Sequence, residues 1–466
     1  SQGEPFVTRH PGTRTPSLKD STIRFGAQGS SLKRESDLGA RVTRFEIAWD
    51  HLFSERGKFN HDRLETIAHQ LGAYRKAGIE PVVLLTYCHD WAQTYTDRQA
   101  TWYHPFFGPP DHVTDWKKFI RPIMKRLKGV ARWYEIWNEP DGHYLADNAE
   151  PGQPTIFGRP AGEADPEFHD NTRYWLQDRY VPLVMAAREV ADEIDPAIRL
   201  MAPSWNHDYH GGRADLCFEV GLHHYIDAYS FHAYIGPPQN YGRWHHWTFD
   251  TYFKHIDRVF KKHGVDLPLV ITEWGFSARK DFESTETDHQ TEADQAALIA
   301  KAMLAQSATS RIKLSVLYCL EGSEFGLTRN AAGKPFKPRP SHRVFKTLSS
   351  LLGTTAIRPS ERVRIEPAEG IRLIALELPD KKQTLIALWP SGWDDEKQEY
   401  KPAPERRARL ICKADRRAKI RPLQLFEKRN DFKRPTWNEG EWSWEVDVQA
   451  LSGKKEVPPR IFVVRQ

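Results

Sequence analysis

Eight short apolar segments recur along the first 350 residues, and stretches with helical periodicity separate most of them. Several segments are continuous runs of Val, Ile and Leu, which are typical of strands buried on both faces of a parallel sheet. Eight strands alternating with helices predict an α/β fold, a (β/α)8 TIM barrel. The segments are Thr22–Ala27, Val42–Trp49, Pro81–Tyr87, Trp133–Trp137, Ile198–Ala202, Ala228–Tyr234, Leu267–Trp274 and Leu314–Leu320.

The intervening stretches carry apolar residues at helical spacing, and Gly78 and Gly264 follow two of them as stop signals. A doubly wound sheet is the alternative α/β architecture, and it usually shows a Gly-rich phosphate loop after its first strand. Phe25-Gly26-Ala27-Gln28-Gly29 matches that loop weakly and opens no helical pattern. The predicted helices are Arg63–Ala77, Trp116–Leu127, Tyr174–Ile194, Tyr252–Lys262 and Glu292–Ala308.

After Gly353 the pattern changes to short strands separated by Pro, Gly, Asp and Lys, and no helix longer than a turn fits. This pattern predicts a C-terminal antiparallel β-sandwich. We therefore expect an N-terminal extension at 1–20, a barrel at 21–352 and a sandwich at 353–466. The predicted sandwich strands are Val363–Glu366, Ile371–Leu378, Thr384–Trp389, Ala408–Cys412, Leu423–Phe426, Trp442–Val448 and Ile461–Val464.

Composition excludes several classes of protein. The net charge of +5 over 466 residues, from 67 basic and 62 acidic side chains, does not indicate nucleic-acid binding. No apolar run approaches the roughly 18 residues that span a bilayer. The polar start of the chain, Ser1–Asp20, does not resemble a signal peptide. Basic residues cluster between Arg406 and Lys419, which indicates a solvated strand surface or, alternatively, contact with an acidic polymer.

Two glutamates stand where predicted strands end. The fourth strand ends in Trp137-Asn138-Glu139-Pro140, and the seventh ends in Thr272-Glu273-Trp274-Gly275. Because TIM-barrel active sites form at the carboxyl ends of the strands, we expect both carboxylates at the same face. Cleavage of a glycosidic bond needs two such carboxyl groups, one on either side of the bond. The pair therefore indicates a glycoside hydrolase.

These motifs resemble clan A of the glycoside hydrolases, which are TIM barrels. The resemblance implies a retaining mechanism with Glu139 as acid/base and Glu273 as nucleophile, and it implies neither cofactor nor metal. His232-Ala233-Tyr234 on the sixth strand also matches the clan, which implies that Tyr234 binds the nucleophile and His232 lines the sugar site. The segments around Glu46 and Lys334, with the sandwich, most resemble family 39.

Further residues are expected to bind a carbohydrate substrate. The amide of Asn138 is suited to bond a sugar 2-hydroxyl, and indole rings stack on sugar faces. For the aromatic residues, packing within the protein is the alternative. For Glu46, the alternative is an internal ion pair with Arg44. On the eighth strand Tyr318 stands where many clan members have tryptophan. The predicted substrate-binding residues are Asn138, His232, Tyr234, Trp274, Glu46, His89, Trp91, Trp49 and Trp205.

Three other functions remain open at this stage. One is an endo-acting glucanase or mannanase of the same clan, and another is a carbohydrate-binding barrel without catalysis. The third is a metal-dependent hydrolase, suggested by His207 with His210 and by the pairs His223-His224 and His245-His246, which lack the helical His-Glu-x-x-His context. A polymer substrate favours a secreted or periplasmic location. The sequence does not determine the oligomeric state.

Overall fold

The computed structural model describes most of the chain. The predicted extension at 1–20 and the aromatic-rich segment Gly236–Trp247 lie outside the described residues, as does most of the polar segment at 279–294. In the described part no helix is long and apolar enough to cross a membrane. The described residues are 22–29, 31–92, 110–140, 176–205, 212–234, 249–278, 291–322, 324–329, 337–390, 393–394, 399–400, 406–426, 432–448 and 457–466.

Eight strands form one sheet, and each is followed by an α-helix in the described part of the chain. The strands are β1 (Arg24–Ala27), β2 (Val42–Ala48), β3 (Glu80–Thr86), β4 (Trp133–Ile136), β5 (Arg199–Trp205), β6 (Ala228–His232), β7 (Leu269–Glu273) and β8 (Ile312–Leu317). The helices are α1 (Leu32–Leu38), α2 (His61–Lys76), α3 (Val113–Arg126), α4 (Val181–Ile194), α5 (Gly212–Glu219), α6 (Phe249–His263), α7 (Glu292–Ser307) and α8 (Pro340–Leu352).

The sheet order is β1-β8-β7-β6-β5-β4-β3-β2, so neighbours in sequence are neighbours in space. The pairs β1–β8, β3–β4, β4–β5 and β5–β6 are parallel. The two end strands also approach each other, because Arg41 N donates to Phe25 O at 2.8 Å. The eight strands therefore form a nearly closed parallel barrel, as predicted.

Local sequence explains where the helices start and stop. Thr291 caps α7 with a reciprocal pair of hydrogen bonds to Asp294, and Ser31 caps α1 by accepting from Arg34 N. Gly39 ends α1 at a φ of 80°, a left-handed conformation that favours glycine. Pro340 opens α8, where its fixed φ suits the first turn. These signals are local, so sequence patterns can reveal them.

Several barrel elements differ from the prediction. Helices α1 and α5 were not predicted, because they have seven and eight residues and too few turns to show a period. Strand β5 continues beyond Ala202 to Trp205, with a register shift at Pro203. In the described part of the predicted helix Tyr174–Ile194, the α-helix begins at Val181, and residues 176–180 form a π-helical turn. Short two- and three-residue strands pair as Phe53–Glu55 with Lys58–Phe59 and as Thr328–Arg329 with Lys337–Pro338.

The C-terminal strands form two antiparallel sheets, as expected for a β-sandwich. The strands are β9 (Arg358–Pro359), β10 (Val363–Glu366), β11 (Ile371–Leu378), β12 (Gln383–Pro390), β13 (Arg406–Lys413), β14 (Lys419–Pro422), β15 (Thr436–Asn438), β16 (Glu441–Val448) and β17 (Arg460–Arg465). One sheet has the order β9-β11-β12-β17-β14 and the other β10-β13-β16-β15. Ile386, Phe462, Leu410 and Trp444 belong to the apolar core that both sheets share. The pair Trp393–Asp394 and Glu399–Tyr400 is a separate ladder.

One predicted sandwich strand is wrong. Residues Leu423–Phe426 are not a strand, and the strand lies just before them, at Lys419–Pro422. It is an end strand of its sheet and contains Lys, Arg and Pro. Its sequence therefore lacks the alternation of apolar residues by which interior strands are predicted. The basic cluster lies partly on this strand and on β13, where Arg407 pairs with Asp447 and Arg409 bonds Ser443. These contacts are those of a solvated strand surface.

We expect Gly26→Ala to destabilise the barrel strongly. A Cβ atom on Gly26 would lie 1.8 Å from the carbonyl oxygen of Val42, so strands β1 and β2 would have to separate. Overpacking against a backbone that cannot give way costs about 2 kcal/mol or more of unfolding free energy. Urea unfolding followed by circular dichroism measures this loss.

Gly72 in helix α2 supplies the matched control. A Cβ atom there meets nothing within 4 Å, so Gly72→Ala should raise the free energy of unfolding by about 0.5–1 kcal/mol. Equal stabilities for the two alanine variants would contradict the close approach of β1 and β2.

Candidate active site

The backbone turns sharply where β4 ends. Trp137 has a φ of 72° and Glu139 a φ of 41°, and bulky side chains rarely adopt this left-handed conformation. Each such residue costs about 1–3 kcal/mol and persists only where its surroundings enforce it. Trp137 is fully buried, and its N–H donates to Leu85 O of the neighbouring strand at 3.0 Å. The strained turn therefore fixes the direction of the Glu139 side chain.

Glu139 bonds a histidine two strands away. Its Oε1 lies 2.7 Å from Nδ1 of His232, the last residue of β6. The His232 side chain has no exposed surface, whereas the Glu139 side chain keeps 19% of its surface exposed. The proton in this bond belongs either to the imidazole or to the carboxyl group, depending on the charge of Glu139. The pair can therefore hold a proton beside an accessible carboxyl group.

Glu273 bonds a tyrosine that follows β6. The hydroxyl of Tyr234 donates to Oε2 of Glu273 at 2.7 Å, and Ala233 N donates to the Glu273 backbone oxygen at 2.8 Å. A hydrogen bond to the charged form of a carboxyl group favours that form. Strand β7 ends at Glu273, and Tyr234 is the second residue after β6. The carboxylate is therefore oriented by a neutral donor from the adjacent strand end.

The structure brings Glu139 and Glu273 close together. One oxygen each of Glu139 and Glu273 and one nitrogen of His232 all lie within 4.8 Å of one another. Two carboxyl groups at this separation can act on the same bond of a bound molecule. The same three donors are also of the types that coordinate divalent metal ions.

Asn138 belongs to a polar network at the end of β4. Its Oδ1 accepts from Arg44 Nη2 at 2.7 Å, and its Nδ2 donates to the hydroxyl of Tyr87 at 3.0 Å. Burial and the negative charges of Glu46 and Glu139 raise the pKa of Tyr87 well above its usual value, so this hydroxyl stays protonated. Glu46 therefore lies near this network, although the guanidinium of Arg44 pairs with Glu135 at 2.6 Å.

Three of the tryptophans predicted to bind sugar are fully buried. Trp49, Trp205 and Trp274 have no exposed surface. The ring of Trp49 stacks on Phe119, with centroids 4.9 Å apart and planes 5° apart, which favours the packing alternative. Trp274 follows Glu273 directly, and its carbonyl accepts from Tyr318 N at 2.7 Å. In this structure these rings present no open face to a sugar.

His89 and Trp91 follow β3 and are half-buried. Their rings stack with centroids 5.5 Å apart. The guanidinium of Arg56 lies 4.8 Å from the centre of the Trp91 ring, and its Nη2 donates to Trp91 O at 2.8 Å. The partly exposed ring of Trp91 is therefore packed against a cation and an imidazole of the protein itself.

Two aromatic rings lie near Tyr234, and neither was among the predicted substrate-binding residues. The ring of Tyr234 has its centroid 5.7 Å from that of Phe325 and 6.5 Å from that of Tyr318. Tyr318 follows β8 directly, so its position at a strand end was visible in the sequence. Phe325 follows later, beyond the strand, and no local pattern marks it. Both rings restrict where the Tyr234 hydroxyl can point.

The histidine pairs do not form a metal site in the described residues. Within the described residues, the only His, Cys, Asp or Glu side chains that cluster in a group of three able to hold a metal ion are Glu139, His232 and Glu273. The rings of His223 and His224 lie 4.0 Å apart, and burial together with the charge of His224 lowers the pKa of His223 to about 4. The remaining histidines of the zinc hypothesis, His207, His210, His245 and His246, lie outside the described part of the chain.

No known family model matches this sequence, and no curated protein sequence matches it. Among solved structures, the chain is similar to a family 39 glycoside hydrolase from the gut symbiont Bacteroides cellulosilyticus WH2. The TM-score is 0.63 at 16% identity, over 96% of this chain and 82% of that one. It is also similar to Xyn30A, a glycoside hydrolase family 30 subfamily 8 xylanase from Clostridium acetobutylicum. The TM-score is 0.51 at 12% identity, over 96% of this chain and 97% of that one. The resemblance to clan A glycoside hydrolases is thus confirmed for the fold.

Proposed function

We propose that this protein is a retaining glycoside hydrolase that cleaves O-glycosidic bonds of a carbohydrate. The observation that carries the proposal is the approach of Glu139 and Glu273, with an oxygen of each within 4.8 Å of the other. In retaining enzymes the two carboxyl groups are about 5–5.5 Å apart, whereas inverting enzymes leave about 6.5–9.5 Å for a water molecule. The short separation favours direct attack by one carboxylate.

In the first step Glu273 attacks the anomeric carbon and forms a covalent glycosyl ester. Glu139 gives its proton to the glycosidic oxygen, so the bond to the leaving group breaks without releasing an alkoxide. The hydroxyl of Tyr234 donates to Oε2 of Glu273 at 2.7 Å and so orients the attacking carboxylate. In the second step Glu139 removes a proton from water, and the resulting hydroxide displaces Glu273 from the sugar.

His232 and Asn138 assist as neighbours of Glu139. His232 bonds Glu139 through Nδ1 and can accept or return the proton as the carboxyl group changes charge. Asn138 offers its amide to the sugar 2-hydroxyl, a hydrogen bond that strengthens as the ring becomes oxocarbenium-like. Both residues therefore act where charge changes during the reaction.

The proposed substrate is an oligo- or polysaccharide. One similar structure is a family 39 glycoside hydrolase and another is a xylanase. Endo-acting cleavage of a polymer and exo-acting release of single sugars use the same two carboxylates. A carbohydrate-binding barrel without catalysis would have no need of two carboxyl groups this close together.

Hydrolysis of a panel of aryl glycosides and oligosaccharides, with sizing of the products, tests the proposal. We expect turnover of at least one substrate, and proton NMR of the first product should show the anomeric configuration of the substrate. Product of opposite configuration would contradict the covalent intermediate. Absence of turnover across the panel, with oligosaccharide binding retained, would instead support the binding barrel.

Removal of divalent metal ions should leave the activity unchanged. The proposed chemistry uses two carboxyl groups and a water molecule, so it requires no Lewis acid. Dialysis against a chelator followed by rate measurement checks this. Loss of activity that returns with zinc would support the metal-dependent alternative, in which Glu139, His232 and Glu273 are ligands.

A further inference from the structure

A buried glutamine on helix α7 contacts the segments that follow two strands of the proposed active site. Gln295 has no exposed surface, and its Oε1 accepts from the hydroxyl of Ser341 on helix α8 at 2.7 Å. Its Nε2 lies 2.9 Å from the carbonyl oxygen of Phe276 and 3.2 Å from that of Phe325. Phe276 follows β7 and Phe325 follows β8, so one amide joins the segments that continue two neighbouring strands. The chemistry proposed above makes no use of this glutamine.

The surroundings of Gln295 fix the orientation of its amide. Carbonyl oxygens only accept hydrogen bonds, and four of them lie within 3.5 Å of Nε2. The nitrogen must therefore face these carbonyls, and the hydroxyl of Ser341 must donate to the amide oxygen. The amide has two N–H groups, and the two nearest carbonyls, those of Phe276 and Phe325, receive them. Because the site is buried, losing the amide would leave these carbonyls unpaired and away from water.

Residues 324–326 also contact the segment after β7 directly. The carbonyl oxygen of Glu324 accepts from Ala278 N at 3.0 Å. Gly275 lies two residues beyond the end of β7, and a Cβ atom on it would lie 3.2 Å from Cδ1 of Phe325. The ring of Phe325 is therefore packed against the backbone that follows the proposed nucleophile.

Phe325 places its ring beside the tyrosine that bonds the proposed nucleophile. The centroids of Phe325 and Tyr234 lie 5.7 Å apart with planes at 71°, an edge-to-face geometry that aromatic pairs prefer. Tyr318 packs on both, with centroids 6.2 Å from Phe325 and 6.5 Å from Tyr234. The Tyr234 hydroxyl donates to Oε2 of Glu273 at 2.7 Å. Direct contacts therefore run from Gln295 through Phe325 and Tyr234 to Glu273.

We propose that Gln295 is a positioning residue, which holds the ring of Phe325 against Tyr234 and so keeps the Tyr234 hydroxyl on Glu273. The inference rests on the proposed function, because it assigns what orients the tyrosine of that site. Gln295 is fully buried, so it acts only through its neighbours. Its loss should lower kcat and leave KM nearly unchanged, because a misdirected carboxylate slows attack while the contacts that bind the sugar remain.

Kinetic coupling tests this inference, with a glycoside that the panel identifies as substrate. Tyr234→Phe should lower kcat about a hundredfold, the cost of one preorganised donor. Gln295→Met keeps the length of the side chain without its hydrogen bonds, and it should lower kcat about tenfold with KM within about twofold of wild type. In the Tyr234→Phe background it should cost less than about twofold, because both changes act on the same hydrogen bond. Losses that multiply, or a loss confined to KM, would overturn the proposal.

Gln306→Met is the matched control. Gln306 is another fully buried glutamine of helix α7, and its Oε1 accepts from the hydroxyl of Ser315 on β8. Its kcat should stay within about twofold of wild type, and an equal fall in both methionine variants would contradict a role specific to Gln295. If Gln295→Met does not fold, Phe325→Leu replaces it, since Phe325 is only half-buried. It should show the same coupling to Tyr234→Phe, and independent losses would overturn the proposal.

A ¹³C NMR measurement separates failure of this inference from failure of the proposed function. In protein labelled at tyrosine Cζ, the signal missing from Tyr234→Phe is that of Tyr234, and its shift reports the hydrogen bond of the hydroxyl. Glu273→Gln removes the charged acceptor and gives the reference position for a weakened bond. Gln295→Met should move the signal toward that reference, and Gln306→Met should leave it in place. An unmoved signal in Gln295→Met contradicts the positioning role, even if the wild-type protein hydrolyses none of the glycosides.

Discussion

Glu273→Ala is expected to lower kcat by about 10⁴-fold or more while the protein stays folded. Removing the nucleophile leaves only binding and the remaining acid, and losses of this size are typical when a covalent catalytic group is deleted. Sodium azide should then restore part of the rate, because the small anion enters the space left by the carboxylate. It attacks the face that Glu273 would attack, so the glycosyl azide should have inverted configuration, which NMR of the product shows.

Glu321→Ala is the matched control for this prediction. Glu321 also follows a barrel strand, β8, but its Oε1 pairs with Arg34 at 2.6 Å, so its charge has a structural partner. We expect its kcat to stay within about twofold of wild type. Full activity in Glu273→Ala, or equal losses in both variants, would exclude Glu273 as nucleophile.

Glu139→Ala should show an effect that depends on the leaving group. For a glycoside with a poor leaving group, loss of the general acid should cost about 10²–10⁴-fold in kcat/KM. For a dinitrophenyl glycoside, which needs little protonation, the loss in kcat/KM should be less than about tenfold. Rates for a series of aryl leaving groups measure this, and the slope against leaving-group pKa should steepen in the variant.

Azide distinguishes the two glutamates further. In Glu139→Ala the covalent intermediate still forms on Glu273, so azide attacks that intermediate and gives a product with retained configuration. His232→Asn, which removes the imidazole that bonds Glu139 at 2.7 Å, should keep Glu139 as the acid and so yield no glycosyl azide. A loss in Glu139→Ala that is the same for every leaving group would contradict the acid/base assignment.

The two variants together test more than either alone. The mechanism requires that opposite product configurations arise from the two alanine variants, because nucleophile and acid lie on opposite sides of the scissile bond. A metal-dependent hydrolase with Glu139, His232 and Glu273 as ligands would lose activity in both and yield no glycosyl azide in either. The stereochemical result therefore separates the two chemistries that the same donor cluster permits.

The burial of the tryptophans shows where sequence reasoning is weakest. Trp49 and Trp205 stand at strand ends, where ligand-binding residues are expected, yet both are fully buried. A residue at the end of a strand lies near the face of the barrel where ligands bind. The side chains that pack around it decide whether its ring is exposed. For Trp49 that packing comes from Phe119 on helix α3, 70 residues away.

The partners of Arg44 show that tertiary packing also decides which polar groups meet. The alternation of β2 puts Arg44 and Glu46 on one strand face, which suggests an ion pair between them. The structure also gives Arg44 partners 91 and 94 residues away, Glu135 and Asn138, because β2 and β4 both direct side chains into the barrel. No sequence pattern within β2 or β4 indicates that Arg44 contacts Glu135 and Asn138.

The sequence by itself determined the alternation of strands and helices, the sandwich that follows, and the two glutamates at strand ends, because these depend on hydrophobic periodicity and on neighbours in the chain. Tertiary structure decided that Glu139 meets His232, that Glu273 meets Tyr234, that Arg44 holds Asn138, and which aromatic rings stay exposed. Those outcomes depend on how the sheet brings distant strand ends together and on what packs around each side chain, which local periodicity does not encode.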